Sequence, residues 1–90
     1  MKRIHFVVHG RVQGVGFRYF TRQCGIEFNL TGWVKNLADG SVECEAQGED
    51  SLLDVFYTKL GRGPVLSRVS RIDRNEISLI TKENGFEITY

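Results

Sequence analysis

The run Val42-Glu43-Cys44-Glu45-Ala46-Gln47 alternates apolar and polar residues without a break. That period of two is the pattern of a strand with one covered face and one open face. Such an element must bury its apolar side against a second layer. The pair Asp39-Gly40 just ahead of it marks a tight turn, so residues 30–36 and 41–48 read as two strands of a hairpin. The covering layer is supplied by two stretches of helical spacing. Phe17, Phe20, Cys24 and Phe28 place an amphipathic helix over roughly 19–28. A second helix runs through "EDSLLDVFYTKLGRGP", with Leu52, Leu53, Phe56 and Leu60 as its apolar stripe. Acidic residues and Ser51 mark its start, and Gly61 and Pro64 its end.

Alternation of Ile4, Phe6 and Val8 with His5, Val7 and His9 makes residues 3–9 a strand. "SRVSRIDR" reads as a weak strand, in which Val69 and Ile72 break strict alternation and flank a bulge. The chain closes on "GFEITY", where Phe86, Ile88 and Tyr90 alternate. The order is β-α-β-β-α-β, an α+β, ferredoxin-like split-βαβ arrangement over residues 1–90. It predicts an antiparallel sheet with two helices on one face. Asn29 falls where a left-handed helix cap is expected, and Gly25 inside the first helix points to close packing on the sheet.

Ninety residues allow one core, and 41% hydrophobic with 26% charged residues is ordinary for a globular domain. A net charge of +1 argues against a general nucleic-acid binder. No segment is long and apolar enough for a signal peptide or a membrane span. Cys24 and Cys44 lack metal-ligand spacing and read as reduced core thiols, so the expected location is the cytoplasm. The charge is unevenly placed. Residues 1–26 carry Lys2, Arg3, Arg11, Arg18 and Arg22 and no acid.

Between the first strand and the first helix lies "GRVQGVGFR", residues 10–18. Glycines at 10, 14 and 16 permit backbone conformations that other residues resist and let the main chain approach a ligand. Successive N–H groups in such a turn converge into an anion-binding concavity, and the following helix N-terminus adds positive potential. Arg18 adds a planar fork for two phosphoryl oxygens. The spacing is neither a Walker A loop nor a dinucleotide fingerprint. From the loop alone, a plain strand-to-helix turn and an anion cradle both stand.

The segments "GRVQGVGFR", "GWVKN" and "DGSVE" together resemble the acylphosphatase family, and the resemblance runs on through "GP" after the second helix and the closing "GFEI". It implies a small ferredoxin-like enzyme that hydrolyses the carboxyl–phosphate bond of acyl phosphates without a metal or other cofactor. It also implies that Arg18 binds phosphate, that Asn36 positions the attacking water, and that Arg11, Val12, Gln13, Gly14, Val15, Gly16 and Phe17 form the phosphate-binding loop. Lys35 stands where many members have arginine, and Asn29 where many have glycine. The implied partners are an acyl phosphate, such as 1,3-bisphosphoglycerate or carbamoyl phosphate, and inorganic phosphate. No nucleic acid or membrane is implied, and the expected state is a monomer. An end at Tyr90 favours a free-standing enzyme over a non-catalytic phosphate-binding module of a larger one. "VGFRYF" faintly echoes an RNA-binding segment, but it falls on a loop and helix, not on a central strand.

The other polar residues have simpler readings. His9 has an outward phase on its strand, and Arg11 is expected to be exposed. Trp33 belongs on the open sheet face and Cys44 in the core. Arg68, Arg71 and Arg74, interleaved with Asp73 and Glu76, read as a solvated edge strand.

Overall fold

A computed structural model describes all residues, Met1–Tyr90. The elements are β1 (Lys2–Arg11), α1 (Phe17–Glu27), β2 (Thr31–Asn36), β3 (Val42–Gly48), α2 (Asp50–Arg62), β4 (Arg68–Ile77) and β5 (Phe86–Ile88). They form one sheet in the order β4-β1-β3-β2-β5. The first four strands pair antiparallel, as the split-βαβ reading expects. The short β5 differs: it joins the far edge parallel to β2, with Gly32 opposite Phe86 and Val34 opposite Ile88. Two other boundaries also differ from expectation. Helix α1 starts at Phe17, and Gly61 lies inside α2, whose end is set by Gly63 at φ 64° ahead of Pro64.

Both helices cover the face that carries Ile4, Phe6, Val8, Val34 and Cys44, all buried. Phe56 of α2 connects the two halves of this core, with ring centroids 5.7 Å from Phe6 and 5.9 Å from Phe86. Burial pushes the Cys44 thiol well above its usual pKa and raises that of Cys24, so both behave as inert apolar groups. The end of α1 is a Schellman motif. Asn29 takes φ 55°, its N–H bonds to Ile26 O, and the N–H of Leu30 bonds to Gly25 O. Gly25 lies directly against the Phe86 ring, where any Cβ would collide.

The bulge lies in β4. His9 pairs with Arg71 and Gly10 with Val69, so Ser70 is the extra residue. Gly10 takes φ 127° there, and a Cβ would strike the carbonyl of Arg68. Opposite the helices, the open face carries paired polar side chains. His9 Nε2 lies 2.9 Å from Asp73 Oδ2, and His5 Nε2 lies 2.8 Å from Glu43 Oε2. Trp33 is half-buried on that face, with Lys35 above its ring. Strand β4 is the charged edge, but Arg74 is more than solvated: its guanidinium stacks 4.5 Å from the Tyr57 ring centroid.

Residues 78–85 must run from one edge of the sheet to the other to join β4 to β5. Gln47 holds this strap, donating to Ile80 O and accepting from its N–H at 3.0 Å each. Arg3, only 1% exposed, reaches Glu83 of the strap at 2.8 and 3.2 Å and Glu45 at 2.8 Å. No helix is long and apolar enough to cross a membrane.

Candidate active site

After Arg11 the chain leaves the sheet, and Val12 inserts into the core at 1% exposure. Gly14 and Gly16 then take φ 74° and 80°, in the left-handed region. A Cβ at either would meet nothing within 4 Å, so glycine is needed for backbone conformation and not for space. Gly16 is also the N-cap of α1, which has no side-chain cap. As a result, none of the backbone N–H groups from Val12 to Tyr19 donates to a protein acceptor. A row of unsatisfied donors at a helix N-terminus is the physical requirement for holding an oxyanion.

Arg18 lies in the first turn of α1. Its guanidinium carbon stands 4.9 Å from the Tyr90 ring centroid, and it forms no ion pair within the protein. Asn36 ends β2, on the far side of β3 from β1. The loop leans across the start of β3, so both residues line one cavity of about 190 Å3 with Val12, Gly14, Gly16 and Phe17. That volume is below the range of about 300–1,000 Å3 typical of pockets for drug-sized ligands, and suits a small anion. The Oδ1 of Asn36 is buried without a hydrogen-bond partner. An orphaned buried acceptor costs about 1–3 kcal/mol unless a ligand or water donates to it.

Three expected loop members do not line the cavity with their side chains. Arg11 is the last residue of β1, exposed and opposite Arg68, outside the cavity wall. Val15 packs on the core, and Gln13 turns its amide toward the β2–β3 connection. Sequence reading missed Tyr19, Ile88 and Tyr90 as cavity-lining residues. Tyr90 was visible only as the last member of an alternating run, whereas β5 ends at Ile88 and Tyr90 swings over Arg18.

An α+β sandwich with an open N–H cradle, a free guanidinium and an unsatisfied amide oxygen has the makings of a phosphoryl-group hydrolase. The model of the family described as Acylphosphatase matches residues 4–88. An acylphosphatase of Geobacillus thermodenitrificans is 46% identical over 90 residues, covering 100% of this chain and 96% of that one. The crystal structure of acylphosphatase from Bacillus subtilis superimposes with a TM-score of 0.96 at 39% identity, covering 100% of both chains. That of T. kodakarensis HypF gives a TM-score of 0.86 at 36% identity, with 100% of this chain matching 12% of the larger one. The chain belongs to the acylphosphatase family, whose activity is hydrolysis of acyl phosphates to a carboxylate and inorganic phosphate.

Proposed function

We propose that this family member hydrolyses small acyl phosphates through Arg18, Asn36 and the backbone of the 12–17 loop. The reading is carried by the buried, partnerless Asn36 Oδ1 on the same cavity as the unpaired Arg18. The phosphoryl oxygens sit in the N–H cradle, and Arg18 grips two of them through its fork. Asn36 Oδ1 accepts a hydrogen bond from a water molecule and holds it in line with phosphorus. The water oxygen bonds to phosphorus as the bond to the acyl oxygen breaks, and that electron pair leaves with the carboxylate. A carboxylate leaving group is a weak base, so no general acid is needed. Asn36 is no base either, so the water's proton passes to a phosphoryl oxygen. The leaving group also makes a divalent metal unnecessary, and the cavity wall offers no carboxylate, imidazole or thiol to hold one.

The free thiols Cys24 and Cys44 fit a reducing compartment, which supports the cytoplasm as location. The charged residues along edge strand β4 oppose strand addition by a second copy and support a monomer. The test is to incubate purified protein with benzoyl phosphate in excess EDTA and follow loss of the substrate. Turnover well above the spontaneous rate is expected. Phosphate binding without turnover would instead mark a non-catalytic module, and loss of turnover on chelation would remove the metal-free mechanism.

A further inference from the structure

The loop that carries the cradle is fixed to the core by Val12 and Val15, and its 12–16 segment makes one polar side-chain attachment to the rest of the protein. Gln13 Nε2 donates to Leu37 O at 2.8 Å and to Ser41 O at 2.9 Å. Both acceptors also close the β2–β3 turn: Leu37 N donates to Ser41 O at 2.9 Å and Gly40 N to Leu37 O at 3.2 Å. Leu37 directly follows Asn36, whose backbone ends the register of β2 against β3 at Val42. Both partners of Gln13 are carbonyl oxygens, so the orientation of its amide is dictated: only the NH2 end can satisfy them.

We infer that Gln13 is a positioning residue, clamping the loop that leads into Arg18 to the turn that follows Asn36 and so fixing the water against the bound phosphoryl group. The inference rests on the roles proposed above for Arg18 and Asn36. Two halves of the site arrive from strands separated by β3, and no other hydrogen bond joins residues 12–18 to residues 36–41. Without the clamp the cradle keeps its own conformation, set by Gly14 and Gly16, and still binds phosphate. The distance from that phosphate to Asn36 is what loosens. Errors on the order of 1 Å in such an alignment cost about a hundredfold in rate.

The experiment is a four-protein cycle of wild type, Gln13→Met, Asn36→Ala and the double variant. For each, kcat with benzoyl phosphate, inhibition by inorganic phosphate and the urea midpoint are measured. Methionine keeps the length of glutamine and removes the donors. We expect Gln13→Met to lower kcat by about 10- to 100-fold while phosphate inhibition stays within about twofold of wild type at the same urea midpoint. In the Asn36→Ala background the same change should cost almost nothing more, because the group it positions is gone. Full additivity of the two losses, or an unchanged kcat in Gln13→Met, overturns the inference while Asn36→Ala remains impaired. Full turnover in Asn36→Ala overturns the underlying role of Asn36 instead, and the inference falls with it. If Gln13→Met loses stability, Gln13→Glu provides a second reading. As a carboxylate it faces two carbonyls without a donor, and once protonated it can donate again. Its kcat relative to wild type should therefore rise from pH 7 to pH 5, and a flat ratio counts against the clamp.

Discussion

Arg18 carries its charge unopposed in a protein where Arg3, Arg71 and Arg74 all have carboxylate partners. Its only close partner is the face of Tyr90, which orients the guanidinium plane without neutralising it. In the role proposed for Arg18 the fork geometry matters as much as the charge, because lysine offers no paired planar donors. Arg18→Lys keeps the positive charge and loses the paired donors that the proposed role requires. With a hydrogen bond to a charged group contributing about 1.5–3 kcal/mol, inhibition by inorganic phosphate should weaken by about 10- to 100-fold, and kcat should fall as well. Competition assays with benzoyl phosphate measure both. Equal phosphate inhibition in wild type and Arg18→Lys would mean that the arginine does not hold phosphate through its fork.

At the scale of elements, the strap between β4 and β5 decides whether the cavity has a second wall, because it delivers Ile88 and Tyr90. Its anchor is the contact of Glu83 with buried Arg3. Burial alone would push the Glu83 carboxyl up, but hydrogen bonds from Arg3 and Thr31 and the Arg3 charge outweigh it, leaving it below the usual 4.5. A carboxyl depressed on folding contributes stability that is fully present above its unfolded pKa and disappears as pH falls through the folded one. Glu83→Gln should thus cost about 1.5–3 kcal/mol at neutral pH, and the gap to wild type should close as the pH drops below about 4.5. Urea midpoints at pH 7, 5, 4 and 3 measure it. A gap that stayed constant over that range would show that the charge of Glu83 is not what holds the strap.

The same strap shows where sequence reading ends. Each helix and strand was legible because its pattern is local: the period of two in 42–47, the stripe from Phe17 to Cys24, the left-handed cap at Asn29. Partnering was not. Alternation in 86–90 says strand, but nothing in five residues says that it pairs parallel to β2. Arg3 alternates with the apolar residues of its strand, and nothing local in the sequence shows that the crossing strap buries it. The clamp of Gln13 was hidden for the same reason. Its acceptors are backbone carbonyls 24 and 28 residues away, and a backbone carbonyl has no residue type to recognise.

At the scale of the whole molecule, the topology collects unpaired cations at one end. Strand β1 ends there at Arg11, β4 begins there at Arg68, α1 starts there with Arg18 and carries Arg22 one turn further on, and α2 finishes there at Arg62. None of these five forms an ion pair, and Arg11 and Arg68 stand directly opposite each other across the β1–β4 ladder. Like charges directly opposite each other on neighbouring strands are destabilising. Nearby acids do little to offset them, since Glu43 is engaged by His5 and Lys35, and Asp73 by His9 and Arg71. A net charge of +1 leaves this arrangement, and not the overall balance, as the source of positive potential at the cavity. Exposed charges are screened over about 10 Å at 0.1 M salt, so kcat/KM for an acyl phosphate dianion should fall several-fold between about 10 and 300 mM sodium chloride while kcat holds steady. Arg68→Glu stands outside the cavity wall, relieves the clash with Arg11 and lowers the local potential. It should therefore flatten that salt dependence and raise KM at low salt, with kcat and phosphate-site geometry unchanged. Steady-state kinetics at four salt concentrations separate the two proteins. If the wild-type KM ignores salt, the clustered arginines do not steer substrate, and their opposition across the ladder needs another cause.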